Sequence, residues 1–396
     1  MEVGFNFRHS TTFTIRDTQD RLSGIQWDFL SKTFQEAIII THKLELRYIW
    51  IDSLCIIQND TLDWEIESKQ MGSIYGHSRV TIAALKSEDG SGGCFDSIDK
   101  VYPHPAGNTF MASRRQPDHS MWGHYQAVNT RLPLFSRAWT LQEELLAPRV
   151  LYFGPEELVF QCRSAQACHC GKCPYEWDTA KQMYESAFLK SSSLEEARNS
   201  WASIVQQYSS RSLTKETDRF PAISGLAKTF EGRGLGKYIA GLWTHDLPIW
   251  LTWRRQYHGS RGAAGANSLY VAPSWSWASM AAGTQVYFNW DALKGYKPSD
   301  SNVHLLEAVC DPVGVDHTGA LRSGYLHFIL ILRAGERPGE YRRCGIGIIE
   351  KGVKLTEDFE QSTKLRAGSG LRYNVRKCNA FEAWFKDKEE EDIILL

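Results

Sequence analysis

Apolar positions recur at helical spacing over residues 28–46, DFLSKTFQEAIIITHKLEL, where Leu30, Phe34, Ala37 or Ile38, Thr41 and Leu44 or Glu45 fall on one face. That period predicts an amphipathic helix, with Asp28 or Ser31 as its N-cap. Residues 48–51, YIWI, are too short and too continuously apolar for an amphipathic element, and predict a strand buried on both faces that ends at Asp52. A second helix is predicted over about 61–76, with Trp64, Met71 and Tyr75 on one face beside Glu67 and Ile74. Arg79 to Leu85 reads as the next strand. Helix, strand, helix, strand in succession predicts a parallel sheet built from βαβ units.

The pattern then breaks. Residues 86–130 are rich in Gly, Ser, Asp, His and Pro and predict an irregular excursion. Regularity returns with a helix from Arg137 to Leu146, capped by Ser136 and stopped before Pro148. Residues 149–153 and 157–162 predict a β-hairpin closed at Gly154-Pro155-Glu156. Residues 176–208 read as helical, and two more helices are predicted from residue 219 through FPAISGLAKTF and YIAGLWTHDLPIWLTWRR. From YVAPSWSWASM onward the chain reads as β-rich, and its charged end, KDKEEEDIILL, as a solvated helix terminus. Trp275 and Trp277, two residues apart, would face one side of a strand and pack the second domain onto the first.

Composition narrows the class without naming a function. Apolar residues make up 42% and charged residues 23% of 396 residues, ordinary globular usage with room for two or three domains. The net charge of −1 gives no bulk attraction to nucleic acid or to an anionic membrane. No apolar run reaches the ~18–20 residues of a membrane span, and the first residues lack the basic and apolar regions of a secretory signal. Nine Cys without an export signal predict reduced thiols and a cytoplasmic location.

Two carboxylate centres are open to chemistry. Asp52, after a buried strand, would sit at the edge where open α/β sheets place ligands, or would cap its own turn. Glu67 on the following helix would line that edge, or pair with Lys69, Arg79 or loop amides. Residues 137–143, RAWTLQE, set Arg137, Trp139, Gln142 and Glu143 in the first turns of one helix. An acid there is favoured as carboxylate by the helix dipole, although Glu143 and Glu144 also suit an ordinary helix surface. Cys168, Cys170 and Cys173, with Cys162 upstream, have ligand residue types. Their C-x-C-x2-C spacing lacks the paired halves of common zinc modules, so free thiols and no metal are expected. Cys55 has no sequence-near His to activate it, and GRGLG at 232–236 does not follow a strand, so neither predicts a catalytic or dinucleotide site.

Three blocks, WIDSLCIIQND (50–60), DWEIESKQMGSIYGHSRVTIAAL (63–85) and SRAWTLQEELLAPRVLYFG (136–154), resemble core motifs of the fungal heterokaryon-incompatibility (HET) domain, in order and spacing. FPAISGLA, YIAGLW and YVAPSWSWAS are similar to the region that accompanies it, so the resemblance covers about 25–280. It implies an effector of programmed cell death on non-self recognition, with a HET domain over 1–165, a Cys-containing loop and helical region over 166–260, and a β-rich region over 261–396. HET domains in turn look like remote relatives of Toll/interleukin-receptor (TIR) domains. That likeness implies a TIR/flavodoxin-like parallel sheet flanked by helices.

In that comparison Trp139 and Glu143 match the Trp and Glu of a TIR motif. Several TIR domains use this Glu to cleave the nicotinamide–ribose bond of NAD+. The resemblance therefore implies Glu143 as catalytic residue, NAD+ as substrate rather than cofactor, and Asp52, Arg137, Trp139, Gln142 and Glu67 as substrate-binding walls. It implies a homo-oligomer or an incompatibility partner protein as contacts. A non-enzymatic, self-assembling signalling module and a degenerate, inactive paralogue are the competing readings. Residues 1–27 carry no counterpart of the family's opening strand, Y-x-x-L-S-Y-x-W-G, which predicts an N-terminally incomplete sheet.

Overall fold

The structure is a computed structural model that describes residues 14, 24–95, 99–103, 110–114, 132–172, 180–188, 192–255, 270–288, 304–306, 317–323, 326–334, 340–350 and 394–395. It divides into two compact units. One comprises Met1–Leu189 with Arg211–Thr229, the other Lys190–Ser210 with Phe230–Leu396.

The first unit is a mixed α/β assembly. Its helix α1, Lys32–Lys43, is capped by Ser31, whose hydroxyl accepts the Phe34 N–H, and it buries Thr33, Phe34, Ala37, Ile40 and Thr41. A short helix, α2 (Asp52–Cys55), precedes the long α3 (Thr61–His77), which is capped by Asp60 through the Leu62 and Asp63 amides. Strand β1, Thr81–Ala83, is buried throughout. The hairpin β2 (Asp99–Pro103) and β3 (Phe110–Arg114) lies within the stretch that composition marked as irregular. Helix α4 (Trp139–Leu146) leads into β4 (Arg149–Phe153), β5 (Leu158–Cys162) and β6 (Gln166–Cys168). Helix α5 (Ala180–Ser186) follows.

The sheet order is β1-β4-β5-β6, parallel between β1 and β4 and antiparallel thereafter. The parallel βαβ sheet expected is found between β1 and β4, and the hairpin that follows makes the described sheet mixed. The reason lies in the connections: tight turns such as that at Gly154, whose N–H donates to Glu157 O at 3.0 Å, join only antiparallel neighbours. Ile82, Val150, Tyr152 and Val159 of the sheet pack with Ala37 and Ile40 of α1 in one core.

A second correction concerns residues 48–51. They are not a ladder strand buried on both faces, since Tyr48 is 83% exposed. Ile51 is extended, and its carbonyl accepts from Leu54 N and Cys55 N at 2.9 and 2.8 Å, so the chain turns at once into α2. Asp52 accordingly opens a helical turn rather than ending a strand.

In the second unit α6, Leu194–Ser209, opens on a capping box between Ser193 and Glu196. The helical stretch expected over 176–208 holds two helices among its described residues, α5 and α6. Helix α7, Pro221–Phe230, belongs to the first unit up to Thr229. The helix expected next is instead a two-residue ladder, β7 (Tyr238–Ile239) with β8 (Leu242–Trp243), and the short α8 (Leu247–Trp250). Ala240 (φ 44°) and Gly241 (φ 89°) force that turn. The Gly241 carbonyl accepts both Trp201 Nε1 (3.1 Å) and Trp277 Nε1 (3.0 Å), and a Cβ on Gly241 would stand 2.6 Å from the Trp277 nitrogen. Trp201 packs edge-on against Phe230, Tyr238 and Trp243. Buried Arg198 and Asp246 pair at 2.7 Å beside them.

Strands β9 (Arg254–Arg255) and β10 (Val286–Tyr287) pair antiparallel. Trp277 sits in a 3-10 turn, Trp277–Ser279, with Ser276 as cap, which corrects the strand expected there. The Ser276 hydroxyl takes the Ala278 N–H and so favours the turn. A five-stranded sheet closes the chain in the order β11 (His304–Leu306), β12 (His317–Ser323), β13 (Leu326–Ala334), β14 (Glu340–Glu350), β15 (Ile394–Leu395). Only its last pair is parallel. Among the described residues no helix is long and apolar enough to cross a membrane.

One contact of the first unit fixes how α3 meets the chain after Arg211. A Cβ built on Gly72 would lie 2.9 Å from the Gly225 Cα, and one on Gly225 would lie 2.7 Å from Gln142 Oε1. Backbones this close leave no room for a methyl group. Gly225→Ala is expected to destabilise the protein by about 1–3 kcal/mol, as overpacking of a filled core does. A chemical-denaturation midpoint equal to that of wild type would contradict the close crossing.

Candidate functional site

Helix α4 gathers most of the residues that the sequence marked. It starts without a side-chain cap: Ala138 is its N-cap residue, and the Ser136 hydroxyl donates to Pro133 O instead, which corrects the expected Ser136 cap. The chain around Ser212 holds the helix start. Ala138 N donates to Ser212 O (2.9 Å), Ser212 N to Ser136 O (2.6 Å), and Arg137 bridges Ser212 in parallel.

Glu143 is 3% exposed. Burial pushes its carboxyl above the ordinary glutamate range, while the Arg137 guanidinium, the Tyr75 hydroxyl and the Arg211 guanidinium pull it back. Tyr75 comes from α3, and the Trp50 ring meets it edge-on at 5.7 Å. Trp139, one turn before Glu143, donates from Nε1 to Asp218 Oδ2 (3.3 Å) and packs edge-on against Trp64 at 6.4 Å. Burial raises the Asp218 carboxyl, with the Trp139 bond opposing. Gln142 is 1% exposed, and both atoms of its amide lie buried without a hydrogen-bond partner among the described residues. The same holds for Arg137 Nη1. Buried polar atoms are nearly always paired, and these orphans lie just before α4 and on its first turns.

Arg211 ties the centre together. It donates to Thr140 Oγ1 at 2.8 Å and reaches Glu144 Oε2 at 3.5 Å, with its guanidinium carbon 5.8 Å from the Phe135 ring centre. The Tyr152 hydroxyl lies 3.2 Å from Glu144 Oε1 and 2.9 Å from Gln161 Oε1. At the far end of α4, Lys181 Nζ donates to Glu144 O at 2.6 Å and to Ala147 O.

Burial lowers the Lys181 amine from 10.5 to about 8. Between those values the unfolded chain binds more protons, so stability is expected to rise with pH across that interval, by something on the order of 3 kcal/mol. Denaturation of wild type and Lys181→Met at pH 7.5 and pH 10.5 (about the span of the shift) measures this: the rise should vanish in the variant. An equal rise in both would show that another group carries it.

Trp139, Gln142 and Glu143 thus share one short helix, whereas Arg137, expected as its first residue, is extended and lies just before the N-cap Ala138, held there by its bridge to Ser212. Asp52 and Glu67 come from α2 and α3. Asp52 Oδ1 accepts the Ser53 N–H at 2.6 Å, its backbone oxygen takes Gln58 Nε2 at 3.4 Å, and Glu67 is half-buried on α3. No hydrogen bond or ion pair joins either acid to Glu143 among the described residues. Three participants escaped the sequence. Tyr75 carried a signal, being on the apolar face of α3. Arg211 and Asp218 carried none, since they reach α4 from about 70 to 80 residues downstream.

The first unit is thus a mixed α/β domain whose α4 carries a buried carboxylate, Glu143, that the Arg137 and Arg211 guanidiniums draw toward its charged form. Residues 7–143 match the family described as Heterokaryon incompatibility protein (HET), and over that segment the chain is a HET domain. The match ends on Glu143 and begins at residue 7, so it takes in the stretch over which the opening strand was expected to be missing. Residues 1–13 and 15–23, on which the expected shortfall of that strand falls, lie outside the described residues. No curated protein and no solved structure matches the chain.

Proposed function

We propose that this HET-domain chain is an effector of fungal heterokaryon incompatibility that kills by cleaving the nicotinamide–ribose bond of NAD+, with Glu143 as its catalytic carboxylate on a TIR-like scaffold. The observation that carries the reading is the grouping, on α4 and just before it, of a buried carboxylate with orphaned donors and an orphaned acceptor, Arg137 Nη1 and the Gln142 amide. In the reaction the C–N bond breaks and its electron pair leaves with nicotinamide, which departs neutral and needs no general acid. Positive charge develops on the ribose ring, and an ionised Glu143 stabilises it in a site of low dielectric. Water then adds to the anomeric carbon, gives ADP-ribose and releases a proton. Arg137 and Gln142 supply donors for ribose or diphosphate oxygens, Trp139 with its bond to Asp218 fixes the helix start, and Asp52 and Glu67 border the approach. At 3% exposure Glu143 meets a ribose only after Tyr75 or Trp139 turns aside, and that opening belongs to the reading.

The same burial favours a second reading, a non-enzymatic module that signals by self-assembly and uses the α4 cluster as structure. Incubating the purified chain with NAD+ and measuring free nicotinamide separates the two. Release by wild type that is lost in Glu143→Ala supports the enzyme. No release by wild type, under conditions in which it is folded, removes the enzyme reading.

A further inference from the structure

The turn of the β4–β5 hairpin and the end of β6 bring together three side chains that the HET reading does not use. Glu157 leaves the turn buried, at 4% exposure. The ladder sets Cys168 opposite Val159, and the His169 N–H then donates to Leu158 O at 2.9 Å, so the chain after β6 stays beside the start of β5. It turns back sharply at Gly171 (φ 70°), whose N–H donates to Cys168 O at 3.0 Å. Within that turn the Cys170 N–H donates to Glu157 Oε2 at 3.2 Å, and the Lys172 N–H donates to Cys170 Sγ at 3.4 Å. The Cys168 and Cys170 sulfurs are 3.1 Å apart. One carboxylate oxygen and the two sulfurs all lie within 4.8 Å of one another.

We propose that Glu157, Cys168 and Cys170 form a binding site for a thiophilic divalent cation, zinc foremost, with water completing its coordination. Two sulfurs and one oxygen select against calcium and magnesium, which take oxygen donors, and suit zinc. With Zn–S bonds of about 2.3 Å, tetrahedral geometry sets the sulfurs about 3.8 Å apart. They need to part by roughly 0.7 Å on that geometry, which side-chain rotation at two partly exposed residues supplies. The backbone supports the donors: one amide orients the Glu157 carboxylate, and another donates to the Cys170 sulfur. Glu157 lies outside the cysteine run, so spacing within that run favoured free thiols, and only the hairpin register adds the third donor. Cys162 is not part of the cluster; its sulfur lies 3.6 Å from Ser164 Oγ.

The test uses the full-length chain kept reduced with a phosphine and titrated with Co2+, followed by Zn2+. The expected result is one Co2+ per chain with a thiolate charge-transfer band that Zn2+ displaces. Cys168→Ser and Cys170→Ser should each abolish the band, and Glu157→Gln should weaken Zn2+ binding by at least about tenfold, the scale that even supporting residues of metal sites reach. Cys162→Ser should leave the band unchanged. Alkylation of the wild-type chain needs no variant: Zn2+ should protect Cys168 and Cys170, read peptide by peptide by mass spectrometry. Absence of the band, its survival in either Cys168→Ser or Cys170→Ser, its loss in Cys162→Ser, unchanged affinity in Glu157→Gln, or alkylation that Zn2+ does not slow would each overturn the site.

Discussion

Glu143→Gln is expected to reduce nicotinamide release from NAD+ by at least about 100-fold, the scale set by removing one preorganised electrostatic group, without lowering the melting temperature. The two halves of this result have one cause. Folding buries the Glu143 carboxylate at a desolvation cost that exceeds what Arg137, Tyr75 and Arg211 return, so its carboxyl is pushed up. A neutral amide of the same shape escapes that cost, and Arg211 keeps Glu144 as a partner. In the proposed reaction, the charge it removes is the one that the ribose cation needs. A residue that is costly to the fold and indispensable to the reaction is the signature of a site rather than of packing. The pH profile follows in sign. Activity requires the ionised carboxylate, so it should rise with pH through an inflection above the ordinary glutamate range. Loss of stability in Glu143→Gln together with full nicotinamide release would place Glu143 in the structural class.

Arg211→Met should cost about 3–5 kcal/mol of stability, because it leaves a buried carboxylate without its partner. The arginine side chain is 7% exposed and that of Glu144 16%. The effect should lie toward the lower end, since water can reach part of the Glu144 carboxylate. Methionine fills much of the stem volume, so the loss reports on charge more than on a cavity. The guanidinium also pulls the Glu143 carboxyl down. In Arg211→Met the inflection of the pH–activity profile should therefore move further up. Urea denaturation measures the first effect and the pH profile the second. A wild-type midpoint with an unmoved profile would mean that Arg211 neither holds α4 nor tunes its acid.

The elements with strong periodicity were readable from residues alone. Helices α1 and α3 and the β4–β5 hairpin lie where the spacing of Phe34, Ala37 and Thr41, of Met71 and Tyr75, and the turn at Gly154-Pro155-Glu156 put them. Short apolar runs were not readable. The run at residues 48–51 looks like a strand, yet Ile51 passes straight into α2, and no local signal distinguishes the two. The run from Tyr238 looks helical until Ala240 and Gly241 adopt positive φ, a choice made by two Trp indoles that need the Gly241 carbonyl. The candidate site divides in the same way. Trp139, Gln142 and Glu143 sit on one helix, and their spacing exposed them. The groups that set the protonation of Glu143 and the position of Trp139, namely Tyr75, Arg211 and Asp218, depend on tertiary contacts that a linear pattern does not encode.

The central claim is that this HET domain acts through Glu143-dependent destruction of NAD+. Its most direct test is to express the wild-type chain and Glu143→Gln at equal levels in fungal cells and to follow NAD+ and viability together. The account predicts that NAD+ falls before viability is lost with wild type, and that both stay at control levels with Glu143→Gln. Cell death with NAD+ unchanged, or death undiminished in Glu143→Gln, would contradict it.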